Sequence, residues 1–173
     1  HTLRLPPGRY LLDCQVEDPA TDRTYRNEHI LVVRDLSRPV AVSDIMLVET
    51  FGLPGEAQEP HISSHVGAEQ LHVKLYYEVY APRAQRIRST LEVVRPGRGG
   101  LPLVGSLFGL VRDDEVDIDY ATSQWVNLNP GRKPTFTTIP LENLKAGDYV
   151  IRLRLETEDG TLLDATEKAI TVE

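Results

Sequence analysis

Cysteine, long apolar runs and positive charge are scarce in the sequence, and each scarcity excludes a class of structure or partner. It holds one cysteine, Cys14, so no disulfide can form within the chain. No stretch reaches the roughly 18 apolar residues that a membrane-spanning helix needs. Positive charge is also scarce, because the 173 residues carry a formal net charge of −7 and a pI of about 5.3. Since nucleic-acid binders need a basic face, we predict neither a nucleic-acid partner nor a membrane span.

What the sequence does contain is a pattern that occurs twice, once near each end. The two copies are separated by 139 positions, as from Gly8 to Gly147. The first copy comprises Leu5, Gly8, Tyr10, Leu12, Cys14, Val16 and Glu17, and the second comprises Leu144, Gly147, Tyr149, Ile151, Leu153, Leu155 and Glu156. The same offset relates Glu28, Leu31 and Val33 to Glu167, Ile170 and Val172. We interpret the copies as the tails of two successive modules.

Each copy is predicted to be a β-hairpin. The residues from Tyr149 onward alternate between apolar and polar side chains, which is typical of a strand with one buried face. Asp159-Gly160 predicts a tight two-residue turn in the second copy, and the segment from Asp18 to Asp22 predicts the turn of the first. Cys14 takes the position of Leu153, so we expect its side chain to be buried like a small apolar residue.

Both hairpins are preceded by the pattern L-x-x-G-x-Y. Gly8 and Tyr10 belong to the first copy, and Gly147 and Tyr149 to the second. A glycine-bearing turn that leads into an inward-facing tyrosine resembles the tyrosine corner of immunoglobulin-like sandwiches. We therefore assign these four residues a structural role and place the hairpins as the last two strands of such a fold.

Further strands are predicted between the two copies. They cover Val40 to Glu49, Leu71 to Tyr80, Arg86 to Val94, Val116 to Tyr120 and Phe136 to Leu141. The predicted fold class is all-β: residues 39–173 form an immunoglobulin-like antiparallel β-sandwich of about seven strands, and residues 1–36 form the C-terminal hairpin of a preceding sandwich. An isolated hairpin is marginally stable in water, so we expect the first one to lie against the complete sandwich, against another copy of the chain or against residues upstream of it.

Two features are candidate interaction sites. The first is an apolar segment that contains Leu101, Leu103, Leu107 and Phe108, which we expect either to fold over the edge of the sandwich or to contact a partner. The second is Trp125, the only tryptophan, which we expect either to fill the core or an edge of the sandwich or, together with Tyr120, to stack on a sugar ring.

Metal sites and catalytic sites have weaker support. His61, His65 and His72 are close in sequence, but no fourth zinc ligand accompanies them. The acidic residues from Asp113 to Asp119 alternate with apolar ones, as in any strand with one solvated face, and lack the pattern of a calcium loop. No serine or cysteine has the neighbours of a nucleophile. We predict no cofactor and no enzymatic activity.

Three segments resemble the β-rich region of bacterial GWxTD-domain-containing proteins: Leu5 to Leu47, Leu71 to Val79, and Ile139 to Val172. The naming motif itself is absent, since Gln124 precedes Trp125 and Val126 follows it. The resemblance implies a larger, exported bacterial protein with a periplasmic or cell-surface location. We expect a non-catalytic structural or interaction module whose partners are neighbouring domains, another protein or a second copy of itself. A carbohydrate- or peptide-binding module is the alternative.

Overall fold

The computed structural model describes residues 4–50, 59–61, 63–67, 70–96 and 117–173, and within these ranges the regular secondary structure is β-strand. The predicted fold class is confirmed at the level of an all-β sandwich. Two compact units are present, His1–Leu36 and Ser37–Glu173. None of the described residues forms a helix with the length and hydropathy that crossing a membrane would require.

The first unit is a two-stranded antiparallel hairpin. Strand β1 (Gly8–Asp18) pairs along its full length with β2 (Arg23–Val33). The turn between them lies where the sequence predicts it. It is closed by the Asp18 side chain, which accepts hydrogen bonds from the backbone N–H of Ala20 and from the hydroxyl of Thr21.

The second unit is a sandwich of two sheets. Its strands are β3 (Ala41–Val42), β4 (Met46–Val48), β5 (His65–Val66), β6 (His72–Ala81), β7 (Gln85–Arg95), β8 (Asp117–Leu128), β9 (Gly131–Pro140), β10 (Gly147–Glu156) and β11 (Leu162–Val172). One sheet has the order β5-β11-β10-β7-β8. In the other, β6 is central and pairs with β3, β4 and β9. All described pairings are antiparallel except that of β5 with β11.

The core lies between the inner faces of the two sheets. Strand β6 alternates buried and half-buried residues, and it contributes Leu75 and Tyr77 to the core. Strand β10 contributes Tyr149, Ile151, Leu153 and Leu155, each no more than 1% exposed. A buried carboxylate joins the two sheets, because Asp164 of β11 accepts a hydrogen bond of 2.9 Å from the backbone N–H of Val42 in β3.

Two details of the predicted strands are wrong. The segment Val40 to Glu49 is not one strand but two short ones, β3 and β4. Both pair with β6, and between them Ser43 bonds to the backbone of Glu78. The turn between β10 and β11 covers residues 157–161 rather than two residues. Gly160 has a positive φ of 84°, as tight turns at glycine require, and the Thr157 and Asp159 side chains bond within the turn.

Strand β8 also departs from the predicted pattern. A β-bulge interrupts its pairing with β7, since Tyr120 lies opposite Val93 whereas Ile118 lies opposite Val94. The bulge shifts the alternation, and Ile118 is 56% exposed although the pattern places it on the same apolar face as Tyr120. Beyond the bulge, β8 continues through Trp125 to Leu128, a stretch for which the sequence predicts no strand.

Candidate interaction surface

Of the predicted interaction residues, the structure describes only Trp125. Leu101, Leu103, Leu107 and Phe108 lie outside the described residues. Trp125 lies on β8, and its side chain is 45% exposed. Because β8 is the last of the described strands in its sheet, Trp125 stands at a sheet edge and not in the core.

The indole ring of Trp125 contacts the guanidinium of an arginine, and it does not form a common stacking surface with Tyr120. The guanidinium carbon of Arg86 on the neighbouring strand lies 4.9 Å from the centroid of the indole ring, which is the geometry of a cation–π interaction. Tyr120 packs partly against the core, whereas Trp125 is on the opposite face of β8, since the two are five positions apart in a regular strand. The predicted sugar-stacking pair of these two rings is therefore not formed.

The outer face of the five-stranded sheet next to Trp125 consists of ion pairs between strands. Arg88 bonds to Glu156 at 2.7 Å, and Arg154 bonds to Glu92 at 2.9 Å. Arg152 and Glu167 form a further pair at 2.8 Å. Side chains that pair with one another across strands leave little charge for a ligand.

On the inner side of β8, the two sheets separate into an open cleft of about 300 Å³. Its floor is apolar and includes Ile87 and Leu155. Its rim is polar and comes from Gln124 and Asn127 of β8 and from Lys133 and Thr135 of β9. Strands β8 and β9 are consecutive in the chain but belong to different sheets. The cleft thus lies between the described end strands of the two sheets, β8 and β9.

A polar aromatic cluster on the outer face of β6 was missed in the sequence. The Glu78 carboxylate accepts hydrogen bonds from the hydroxyls of Tyr76 and Tyr80 and lies 3.2 Å from the guanidinium of Arg132 on β9. Phe136 of β9 packs on Tyr76 with ring centroids 5.1 Å apart. The alternation of β6 places its three residues on one face, but the β9 partners follow only from the pairing of the two strands.

The cluster shifts the protonation of its members. Burial, the hydrogen bond to Glu78 and the charge of that carboxylate raise the pKa of Tyr80 to about 12. Burial tends to raise the pKa of Glu78, but the two tyrosine hydrogen bonds and Arg132 outweigh it and lower that pKa overall. A raised tyrosine pKa contributes stability that is complete below pH 10 and is lost as the pH rises towards 12. A lowered Glu78 pKa contributes stability that is lost as the pH falls below about 4.5.

We expect Glu78→Gln to return the pKa of Tyr80 towards its ordinary value near 10, because the substitution removes the negative charge beside the phenol. Ultraviolet titration of the phenolate band measures this change, and Tyr80→Phe identifies the band. Tyr77 is the internal control, since it lies on the opposite face of β6, where burial raises its pKa. A titration curve that Glu78→Gln leaves unchanged would contradict the described contacts.

The two predicted hairpins are equivalent in geometry. Tyr10 lies opposite Leu31, and Tyr149 lies opposite Ile170, so the register as well as the sequence repeats at the same offset. Each tyrosine hydroxyl donates a hydrogen bond of 2.8 Å to the backbone carbonyl four residues earlier, at Pro6 and at Lys145. Tyr149 also accepts a hydrogen bond from Arg95. Gly147, at the start of β10, has a φ of 149° that side-chain-bearing residues rarely adopt.

The hairpins differ in burial. Leu12 is 41% exposed and Val16 is 64% exposed, whereas their equivalents Ile151 and Leu155 are fully buried. The expectation that Cys14 is buried is wrong for this structure, because Cys14 is exposed whereas Leu153 is not. The equivalence of the positions predicts the strand and the face correctly, but burial depends on what packs on that face.

The histidines do not converge on a metal site. His61 lies 3.7 Å from Glu49, and His65 bonds to Glu173 at 2.7 Å. Across the ranges that the structure describes, no group of three or more histidine, cysteine or acidic side chains has a metal-binding arrangement. Of the acidic run, Asp119 lies 3.5 Å from Arg95, and the residues from Asp113 to Val116 are outside the described ranges.

Comparison with known proteins gives no family. No family model and no curated protein matches the chain. Among solved structures it is similar to the β-glucosidase EmGH1 from Erythrobacter marinus (12% identity, TM-score 0.45) and to a β-glucosidase involved in saponin metabolism from intestinal bacteria (13%, 0.45). It is also similar to the Pseudomonas fluorescens alkylpurine DNA glycosylase AlkC (9%, 0.43). The matches cover 78%, 79% and 79% of this chain but only 15%, 16% and 31% of those chains, respectively.

Proposed function

We propose that this chain is a non-catalytic structural and interaction module of a larger, exported bacterial protein, and that it binds partners through the edge strand β8. The observation that carries the proposal is the composition of that edge. From Tyr120 to Leu128, β8 has neither a charged residue nor a proline, and it presents an exposed tryptophan. Sheet edges that are not meant to pair are normally interrupted by such residues.

The fold assigned to this module is immunoglobulin-like. Two observations support this more specific assignment. One sheet contains β6 and β9 with the short strands β3 and β4, and the other contains β7, β8, β10 and β11 with the short strand β5. The tyrosine hydroxyl that bonds to the backbone four residues earlier has the geometry of a tyrosine corner.

The same proposal interprets β1 and β2 as the last hairpin of a preceding sandwich. Their register and their tyrosine bond repeat those of β10 and β11. In the Ser37–Glu173 sandwich, the inner face of the hairpin formed by β10 and β11 is buried. Strand β10 pairs with β11 on one side and with β7 on the other. The exposed side chains of Leu12 and Val16 are those that an equivalent set of strands would cover. The module is therefore a member of a tandem array.

A selection of partners tests the interaction role. Displayed peptides that bind the chain are expected to bind the Ser123→Lys variant at least tenfold more weakly, because that substitution places a charge in the middle of the β8 edge. Thr138→Lys is the matched control, since it adds the same charge on the outer face of β9, and it should leave the affinity unchanged. Selected ligands that bind both variants equally would overturn the role of β8.

The alternative, a carbohydrate-binding module, is favoured by one observation: the indole of Trp125 is 45% exposed at the surface. Exposed aromatic rings are the platforms on which sugar rings stack. A glycan array distinguishes the two functions. A specific glycan whose binding is lost on Trp125→Ala would support the alternative, whereas peptide ligands sensitive to Ser123→Lys support the proposed interaction role.

A further inference from the structure

The free edges of the sandwich are not equally protected against strand addition. On the side of the cleft, β9 ends the four-stranded sheet and carries Arg132, Lys133 and Pro134. Charged residues and proline block the addition of a further strand. At the far end of the other sheet, β5 has only two residues. Among the described strands, β8 is the one long edge without such protection.

The unprotected part of β8 has a defined length. The bulge beside Val93 and Val94 ends the regular pairing at Tyr120, and the strand ends at Leu128. Over this stretch most side chains are exposed. An edge strand of this length offers its outward backbone N–H and carbonyl groups as a template for an antiparallel partner.

The order of residues along this edge is complementary to itself. If a two-fold axis passes through Ser123 and relates two antiparallel β8 strands, Tyr120 of one copy lies opposite Val126 of the other. Ala121 lies opposite Trp125, and Thr122 lies opposite Gln124. Apolar side chains thus meet apolar ones, a small residue faces the largest one, and two polar side chains face each other. Such cross-strand pairs are the ones that stabilise a sheet.

Charge is complementary in the same register. The paired stretch contains no acid, and the nearest one, Asp119, lies beyond its regular end, next to the position that faces Val126 of the second copy. No carboxylate faces another carboxylate, although the chain as a whole has a formal charge of −7. In contrast, pairing through β9 would bring Arg132 and Lys133 near their own copies, and like charges that lie opposite one another destabilise a sheet.

We infer that the β8 edge binds the β8 edge of a second copy of this chain, which joins the two five-stranded sheets into one continuous sheet about a two-fold axis. The inference rests on the proposed interaction role of β8 and names its partner. A contact in which both subunits use the same surface is the usual arrangement in homodimers.

Cross-linking tests the register of this contact. In a Cys14→Ser background, Ser123→Cys places a thiol on the two-fold axis, where directly opposed Cα atoms are about 4.5–5.5 Å apart, within reach of a disulfide. We expect mild oxidation of the full chain to produce a disulfide-linked dimer. Thr138→Cys in the same background is the control and should stay monomeric. Equal cross-linking of both variants, or of neither, would overturn the inference.

Sedimentation equilibrium tests the association without a cross-link. We expect the wild-type chain to dimerise in a concentration-dependent manner. Ser123→Lys should raise the dissociation constant at least tenfold, because two like charges meet at the axis, as should Ser123→Asp. An equimolar mixture of these two variants should regain the dimer, since the opposed charges then attract. Circular dichroism verifies that each variant is folded.

The outcomes separate this inference from the proposed function. A wild-type chain that stays monomeric at millimolar concentration, or a mixture of the charged variants that does not associate, overturns self-pairing. Selected peptides that still require an uncharged position 123 would then retain the interaction role of β8 with a different partner. If both tests are negative, the interaction role of β8 fails together with self-pairing.

Discussion

Ile151→Ala is expected to lower the free energy of unfolding of the Ser37–Glu173 unit by about 3–4 kcal/mol, whereas Leu12→Ala is expected to cost less than about 1 kcal/mol. The two residues occupy equivalent positions in equivalent hairpins, opposite Lys168 and His29. Ile151 is fully buried, so its truncation leaves a cavity, whereas Leu12 is 41% exposed and loses few contacts.

Chemical denaturation measures both changes, with circular dichroism following the strands of both units. Trp125, the only tryptophan, lies in the second unit, so its fluorescence reports the unfolding of that unit. Leu47→Ala serves as a control in the facing sheet, because Leu47 is 3% exposed and belongs to the same core. It should cost an amount comparable to Ile151→Ala. Equal losses for Leu12→Ala and Ile151→Ala would mean that the face of β1 is covered in solution.

The sequence predicts the hairpins well because they carry two independent signals. Alternation identifies a strand with one apolar face, and the 139-residue offset shows that the same pair of strands occurs twice. Since the offset is constant from Gly8 to Val33, it also anticipates the register, which is the same in both hairpins up to a β-bulge at Leu155 and Glu156 of the second. The tyrosine hydrogen bonds follow from the glycine-bearing turn that precedes Tyr10 and Tyr149.

Strand β8 could not be predicted over its full length. Its inward positions include Thr122 and Gln124, because the two sheets separate there and the inner side faces a cleft with a polar rim. The alternation of apolar and polar residues is therefore lost, although the backbone is extended. The bulge near Val93 has no signature in the composition, and it shifts the face on which Ile118 lies.

The interactions of the candidate sites depend on strand pairing, which a local pattern does not reveal. Arg86 meets Trp125 because β7 and β8 are adjacent, and Arg132 meets Glu78 because β9 pairs with β6. The two arginines lie far from their partners in the sequence. The prediction that Cys14 is buried was wrong for a similar reason. The sequence of a strand indicates which face is apolar but not which residues cover that face.

The thiol of Cys14 is expected to react with a maleimide or a disulfide reagent at least about 100-fold faster than a thiol at the equivalent buried position. That position is created by Leu153→Cys in a Cys14→Ser background. Cys14 is exposed in the structure, whereas Leu153 is fully buried. A buried thiol reacts only when the structure opens, and an opening free energy of about 3 kcal/mol slows labelling by about that factor.

Mass spectrometry of the native protein follows the reaction, and labelling in denaturant gives the intrinsic rate of each thiol. Similar slow rates for both thiols would show that the inner face of β1 is covered and would contradict the exposure described here. The contrast also bears on the tandem arrangement. If β1 and β2 complete a preceding sandwich, a longer chain that contains its other strands should protect Cys14 as strongly as the complete sandwich protects position 153. A Cys14 thiol that stays reactive in such a chain would show that the hairpin does not complete a preceding sandwich.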